Sequence, residues 1–314
     1  MGQLWVTNSL GGFLGNRKLS RTVRHAAQPM QKFRQFCNIK EALGSNKNDL
    51  IFYDKISNVA TQGGTLVETN TMPETQVTIQ TGTLKVTEFG NSVPFTGKLE
   101  ILAEFDVDNI ITVALRNDES KVLDSTVGGQ FVLSQLKYSC LTASSAGSFQ
   151  TLTADAAQGT TTCAVTFDMY HLKECVDKLK VLNVPKYDGE NYICIASINA
   201  TRGIKNHSDW TDAAKYGDPE RLFSGEVGKI EGVRIIEETN FLSNARGGST
   251  YGEAVMFGAD AVMEAVALPE EIRAKIPTDY GRSRGVCWYG LCNFGKIWDY
   301  TGDGETHIIH INSN

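Results

Sequence analysis

Residues 105–138 read FDVDNIITVALRNDESKVLDSTVGGQFVLSQLKY, and this stretch constrains the fold more than any other. Asp106 or Asp108 can cap a helix here, because a carboxylate is favoured at a helix N-terminus. About 30 helical residues would span roughly 45 Å, so we expect one helix that is long for a chain of this size. Apolar side chains recur at helical spacing, at Ile110, Ile111, Ala114, Leu115, Val122, Leu123, Val127, Phe131, Leu133 and Leu136.

The segment before this helix is rich in Thr and predicts a long β-hairpin. Val77 and Ile79, and then Leu84 and Val86, alternate with polar residues, and Gly82 stands between the two runs. This alternation is typical of two strands that each have one apolar face. A two-stranded ribbon is only marginally stable alone and exposes its edges. We therefore expect the hairpin to lie against another surface, and in an assembly its edge would hold neighbouring chains together.

The charge of the chain is distributed unevenly. Residues 1–40 contain seven basic side chains and no Asp or Glu, so this segment has a net charge of +7. The whole chain carries 30 basic and 36 acidic side chains, so the other residues have a net charge of −13. A basic N-terminal arm on an acidic body can bind acidic neighbours or nucleic acid, or can remain a solvated helix. The basic residues are Arg17, Lys18, Arg21, Arg24, Lys32, Arg34 and Lys40.

The remaining patterns predict a mixed α+β fold. Helices are expected over 21–38, where Pro29 would cause a kink, and over 168–182, 199–216 and the second part of 254–268. Strands are expected over 192–197, after the glycines of 225–232, at the start of 254–268, and over 285–298 and 306–311.

No established catalytic motif is present, so we expect no catalytic, cofactor or metal residues. Cys287 and Cys292 with His307 and His310 could supply four zinc ligands, but histidines three apart in a strand point to opposite faces. The carboxylate pairs Glu237–Glu238 and Glu270–Glu271 are interpreted as a solvated strand end and a helix start after Pro269. The seven cysteines are expected to be reduced and to serve as small apolar residues.

The order of these elements resembles the major capsid proteins of tailed bacteriophages, which share the Hong Kong ninety-seven type fold. A basic arm, a Thr-rich hairpin and one long helix precede a compact α/β region with closing strands. The resemblance is strongest at Val86–Thr96 leading into Phe105–Val107, at Gly225–Thr239 and at Gly285–Gly290. Within that class, the chain looks most similar to the major capsid family of N-four-like podophages.

The resemblance implies a set of domain boundaries. Residues 1–45 would be the N-terminal arm and 46–100 the extended β-hairpin loop. Residues 101–150 would form the peripheral domain around the long spine helix, and 151–270 the axial domain. Residues 271–314 would be closing strands that return to the peripheral domain.

The resemblance also implies a structural function and a set of partners. The chain would assemble into hexamers and pentamers of an icosahedral head that encloses double-stranded DNA, in the host bacterial cytoplasm and then in the virion. Expected partners are a separate scaffolding protein, a portal protein, a possible decoration or cement protein, and packaged DNA on the inner face, with no membrane. The residues expected to act in assembly are Arg17, Lys18, Arg21, Arg24, Val77, Ile79, Leu84 and Val86.

Two alternatives remain open from the sequence. An encapsulin-like cellular nanocompartment shell would use the same fold and would need a cargo protein. An α/β enzyme would need a convergent polar pocket in the axial region. A secreted β-rich binding module is disfavoured by the odd number of cysteines.

Overall fold

The computed structural model describes residues 25–41, 49–56, 63–69, 71–103, 105–142, 145–154, 163–207, 228–242, 245–246, 249–250, 252–298 and 305–314. The helices are α1 (Gly97–Leu102), α2 (Val107–Val132), α3 (Met169–Val181) and α4 (Ile198–Lys205). The first strands are β1 (Asn38–Glu41), β2 (Leu50–Ile56), β3 (Ile79–Lys85), β4 (Thr87–Thr96), β5 (Leu136–Thr142), β6 (Ala146–Thr151) and β7 (Tyr192–Ala196). The later strands are β8 (Lys229–Ile230), β9 (Val233–Glu237), β10 (Ala245–Arg246), β11 (Ser249–Thr250), β12 (Gly252–Phe257), β13 (Val262–Ala274), β14 (Ser283–Lys296) and β15 (Ile308–Ser313).

The chain divides into two compact units. Among the described residues, the first contains those of 25–28, 88–122 and 269–291, and the second contains the others. Four elements, α2, β4, β13 and β14, contribute residues to both units, β4 only by Thr87 to the second. The following paragraphs describe each unit separately.

The second unit is built on a seven-stranded mixed sheet in the order β6-β5-β15-β12-β7-β9-β8. Strand β7 lies inside this sheet, antiparallel to β12 and parallel to β9. Its sequence is apolar at all five positions and all five are buried, as expected for a strand covered on both faces. The continuous apolar run therefore places β7 in the sheet interior.

Helix α3 covers one face of this sheet. Leu172, Cys175, Val176 and Leu179 are buried at the spacing of one helical face and belong to the main apolar core of the unit. The Asp168 side chain caps the helix by accepting a hydrogen bond from the backbone N–H of Met169, 2.7 Å away. The helix predicted over 168–182 and the buried strand predicted over 192–197 are both confirmed.

Residues 29–37, which we call the strap, belong to the second unit and contain a 3-10 turn at Arg34–Phe36. The backbone N–H groups of Phe33 and Arg34 donate to Asp124 Oδ1 at 2.8 and 3.1 Å. The Arg34 guanidinium donates to the buried Glu264 carboxylate at 2.7 Å, and the Phe33 ring packs against Phe131. The helix predicted over 21–38 is wrong for residues 25–38, which contain only a 3-10 turn at Arg34–Phe36, because Asp124 accepts N–H groups that a helix would use internally.

In the first unit, the first half of α2 packs on a sheet formed by β4, by residues 269–274 of β13 and by residues 283–291 of β14. Ile111 and Leu115 belong to a cluster around the buried Trp288. The indole N–H of Trp288 donates to Asp118 Oδ2 at 3.0 Å, so the helix is held by packing and by a polar contact. Asp106 Oδ1 lies 3.3 Å from the backbone N of Asn109. The long helix is confirmed over the 26 residues Val107–Val132, with Asp106 as its capping carboxylate. Its predicted continuation to residue 138 is wrong, because Leu136–Tyr138 belong to strand β5, which pairs with β6 and β15.

Three other predictions are wrong in their details. The residues on either side of Gly82 were predicted to form two paired strands, but Ile79–Lys85 is the single strand β3, whose partner is β2. The next strand, β4, pairs with β14 instead. Residues 262–274 form the long strand β13, where a helix was expected, because their backbone pairs with β1 and β14. Helix α4 ends at Lys205, and the rest of the helix predicted over 199–216 lies mostly outside the described residues.

We expect Asp124→Ala to lower the free energy of unfolding by roughly 2–4 kcal/mol, because two buried backbone N–H groups would lose their acceptor. Urea unfolding of the full chain measures this change. Asp177→Ala is the matched control, because Asp177 is an exposed carboxylate on α3, and we expect it to change stability by less than about 0.5 kcal/mol. Equal unfolding midpoints for the two variants would show that Asp124 does not hold the strap.

Candidate assembly surfaces

The β2–β3 hairpin is attached to the second unit at its base. Leu84 is buried in a small cluster with Met263 and Ala265, and Tyr53 and Val86 pack against this cluster. The Tyr53 hydroxyl donates to the backbone carbonyl of Lys296 at 3.0 Å, and the Asn293 amide donates to the carbonyl of Lys85 at 2.6 Å. These contacts fix the hairpin to β13 and β14.

Gly82 lies within β3 and is not the turn of the hairpin. A Cβ atom at this position would lie 2.3 Å from Cζ of Tyr53, which is directly opposite in the strand register. Glycine inside a strand often marks such a close approach. The interpretation of Gly82 as a break between two strands was therefore wrong, because the aromatic partner on β2 could not be identified from the local sequence.

The far side of the hairpin, which we call the hairpin face, carries three large exposed apolar side chains, with the hydrogen-bonded polar pair Asp54–Thr81 among them. Phe52, Ile56 and Ile79 are 59%, 62% and 62% exposed. They share one face because Phe52 and Ile56 are four residues apart in β2 and Ile56 is paired with Ile79. Exposed apolar side chains continue into the residues that precede β3, at Leu66, Val67, Met72 and Val77. Several large apolar side chains exposed on one strand pair make this face a candidate binding surface.

A groove of about 860 Å³ lies in the first unit, between α1 and the turn that joins β13 to β14. Ile101, Leu102 and Tyr280 line it and are exposed, Ile101 and Tyr280 almost fully. Charged side chains of both signs surround it, and Arg284 forms an ion pair with Glu100 at 2.5 Å. The groove is thus a second surface that combines apolar side chains with a charged rim.

The turn beside this groove has an unusual backbone. Asp279, Tyr280 and Gly281 all adopt positive φ, at 53°, 52° and 85°. Positive φ is unfavourable for a bulky residue such as Tyr, so the fold holds this apolar side chain outward at a steric cost. Sequence reasoning missed this site, although an aromatic residue inside an Asp-Tyr-Gly turn was a usable signal.

The structure separates the residues predicted to act in assembly into three groups. Val77 and Ile79 are exposed, whereas Leu84 is buried and Val86 is partly buried at the hairpin base. Arg17, Lys18, Arg21 and Arg24 lie outside the described residues. The strap, which follows these residues in the chain, is the first segment of the second unit.

The carboxylates and histidines considered for chemistry have structural partners. Glu238 is buried and accepts hydrogen bonds from the backbone N–H groups of Asn240, Phe241 and Leu242, so its interpretation as a solvated residue is wrong. Burial raises its pKa, against the effect of these hydrogen bonds. Burial also acts to raise the pKa of Glu237, but hydrogen bonds from Lys205 and Thr201 outweigh it and hold the pKa below its usual value. Glu238 thus organises the loop after β9, whereas Glu237 binds helix α4.

The four residues considered as zinc ligands lie in separate surroundings. His307 stacks on Trp298, and His310 contacts Lys137, whose Nζ is 3.2 Å from His310 Nδ1. Glu270 and Glu271 lie in β13 and not at a helix start. Among the described residues, no group of three or more metal-binding side chains comes together, and no described helix is long and apolar enough to cross a membrane.

Comparison with solved structures identifies the fold. The chain is similar to the capsid structure of the cyanophage P-SCSP1u, with a TM-score of 0.68 and 12% identity over 97% of this chain and 94% of that chain. It is similar to the acidic stable capsid structure of the Helicobacter pylori bacteriophage KHP30, with a TM-score of 0.67 and 13% identity over 98% and 97%. It is also similar to the capsid of Ralstonia phage GP4, with a TM-score of 0.66 and 16% identity over 95% and 96%.

No protein-family model matches the chain, and no curated protein matches it in sequence. The similarity therefore rests on the course of the backbone over nearly the whole length of each partner. The chain is an α+β protein with the fold seen in tailed-phage capsids.

Proposed function

We propose that this chain is a structural major capsid protein of a tailed bacteriophage and not an enzyme. The observation that carries the proposal is the match to phage capsid structures over at least 94% of both chains in each of the three comparisons. The exposed hairpin face supports it, because a shell subunit needs apolar surface that only a neighbour can bury. Its products would be hexamers and pentamers of an icosahedral head that encloses double-stranded DNA.

The mechanism of assembly would be self-association through exposed apolar side chains. Phe52, Ile56 and Ile79 on the hairpin face, together with Val77 before it, would be covered by a second copy of this chain. Leu84 and Val86 would support this contact by fixing the base of the hairpin. The groove beside α1 would be covered by a second copy as well. Closed shells bury such surfaces in repeated, symmetric contacts.

The N-terminal arm would contribute electrostatic contacts. Arg17, Lys18, Arg21 and Arg24 carry four positive charges with no acid among residues 1–40. They would contact the acidic surfaces of neighbouring subunits or the packaged DNA, whose phosphates attract basic segments without sequence preference. The strap then acts as the fixed point from which the arm extends to these partners.

The finer assignments belong to the same proposal. The domains would be the arm (1–45), the extended loop (46–100), the peripheral domain (101–150), the axial domain (151–270) and the closing strands (271–314). A separate scaffolding protein, a portal protein and a decoration or cement protein would be partners. Assembly would take place in the host bacterial cytoplasm, and the mature location would be the virion. The nearest relatives would be the major capsid proteins of N-four-like podophages.

Negative-stain electron microscopy of the purified full chain tests the proposal. Over a range of protein concentrations and salt, we expect closed shells, tubes or sheets, because the exposed apolar surface drives association. Co-expression with the neighbouring scaffolding gene of a phage genome that encodes this chain provides a second condition. Monomers alone under both conditions would overturn the proposal.

We expect Phe52→Glu combined with Ile79→Glu to abolish assembly, because the two glutamates add negative charge to the hairpin face. The chain should stay folded, because Phe52 and Ile79 are exposed. Sedimentation measures assembly, and circular dichroism with thermal unfolding checks the fold. Val181→Glu is the matched control, because Val181 is also an exposed apolar residue, at the end of α3. Assembly by the double variant at the level of the control would exclude the hairpin face as a contact.

We also expect deletion of residues 1–25 to abolish shell formation and to leave the body folded, because the strap begins after this segment. Analytical ultracentrifugation and urea unfolding measure the two effects. A second variant, in which Arg17, Lys18, Arg21 and Arg24 are all changed to Gln, separates the charge of the arm from its length. Loss of folding in the deletion variant would instead mean that the arm is part of the core.

A further inference from the structure

A continuous set of buried and partly buried hydrogen bonds links strand β5 to helix α3 in the second unit. The Tyr138 hydroxyl on β5 donates to Glu174 Oε2 on α3. The hydroxyl oxygen of Tyr138 also lies 2.8 Å from His171 Nδ1. Tyr170 donates to the other Glu174 oxygen at 3.1 Å. The phenol has one proton, and a carboxylate can only accept. The Tyr138 oxygen therefore accepts the proton on Nδ1, and this assigns the tautomer of the neutral His171 ring.

The geometry leaves the other ring nitrogen without a partner. His171 is fully buried, and its Nε2 has no hydrogen-bond partner among the described residues. The rings of Tyr138 and Tyr170 approach the imidazole at centroid distances of 5.7 and 5.5 Å, both edge-on. In the neutral ring, Nε2 carries only a lone pair. In the charged ring it would carry a buried N–H without an acceptor, which is a costly arrangement.

Charged and titratable groups reach this histidine from the elements packed around it. Glu174 and Asp168, on α3 and at its cap, favour the charged imidazolium. The thiols beside Tyr138 are Cys140 on β5 and Cys175 on α3, and burial raises the pKa of both, so they stay neutral. Lys178 on α3 lies over the ring of Phe149 on β6, 5.7 Å from its centroid. Apart from the two carboxylates and the Lys178 ammonium, the groups named here are thus the neutral thiols of Cys140 and Cys175 and the phenols of Tyr138 and Tyr170.

We propose that Tyr138, His171 and Glu174 form an acid-sensitive latch, in which protonation of His171 at Nε2 releases helix α3 from strand β5. At neutral pH the neutral ring completes the hydrogen-bond chain and α3 is docked. At acid pH a proton from solvent binds Nε2 and brings a charge into the apolar core beneath the helix. The ring gains hydration only when α3 moves away from the sheet.

The sign of the pH effect follows from burial. Burial lowers the pKa of His171, and the two carboxylates only partly oppose this effect. An undocked histidine has its ordinary pKa of about 6.5, so the undocked state binds the proton first as the pH falls. Docking of α3 is thus fully favoured above about pH 6.5 and weakens below it, by up to a factor of about ten per pH unit. The latch concerns the second unit alone and does not depend on the proposed capsid function.

Hydrogen-exchange mass spectrometry on the purified full chain tests the latch. After correction for the intrinsic effect of pH on exchange, we expect the peptide covering 169–181 to lose up to about tenfold of its protection between pH 6.5 and 5.5. We expect His171→Gln to remove this pH dependence, because the Gln amide can still donate to Tyr138 but does not titrate. His207→Gln is the matched control, because His207 lies near the end of α4 and outside the hydrogen-bond chain.

A third variant distinguishes the latch from general acid unfolding. Glu174→Gln keeps an acceptor for Tyr138 but removes a negative charge that favours the imidazolium, so we expect a larger total loss of α3 protection by pH 5. A peptide from the buried half of α2, residues 123–132, should stay protected over the same range. The proposal is overturned if wild type and His171→Gln lose α3 protection equally, or if α2 and α3 lose protection together.

Discussion

The carboxylate of Asp124 joins three separate parts of the second unit. Its Oδ1 accepts the backbone N–H groups of Phe33 and Arg34, and its Oδ2 accepts the side-chain amide of Asn240 at 3.3 Å. Burial raises the pKa of Asp124, against the effect of these hydrogen bonds. One acid on α2 therefore holds the strap and the loop after β9 together, and the origin of the N-terminal arm depends on it.

The same principle recurs at the neighbouring acids. Glu238 accepts three backbone N–H groups of the loop that carries Asn240, and Glu264 on β13 receives the Arg34 guanidinium. A buried carboxylate is costly unless hydrogen bonds or an opposite charge compensate it. Each of these acids therefore specifies one arrangement of the backbone around it, and together they make the strap part of the fold instead of a loose connection.

The arrangement separates a well-packed body from the surfaces proposed to bind other subunits. The hairpin is anchored by Leu84 and by the hydrogen bond from Tyr53, while Phe52, Ile56 and Ile79 remain exposed on its other side. The interior of the body contains polar chains of its own, such as the one that joins Tyr138 to His171. Association through the hairpin face and docking of α3 thus involve different residues and can be perturbed independently.

Local sequence was sufficient for the elements whose side chains follow one period. The apolar spacing of α2, the Asp168 cap of α3 and the apolar run of β7 each specify an element without reference to distant residues. The resemblance of their order to tailed-phage capsid proteins was also readable from the sequence, and the uneven charge needed only the residue types. Pairing and burial needed the tertiary structure, because the partners are far apart in the chain: Tyr53 over Gly82, β2 beside β3, and Asp124 beneath Phe33. In the strap, a carboxylate 91 residues away in sequence outcompetes the helix that local periodicity favoured.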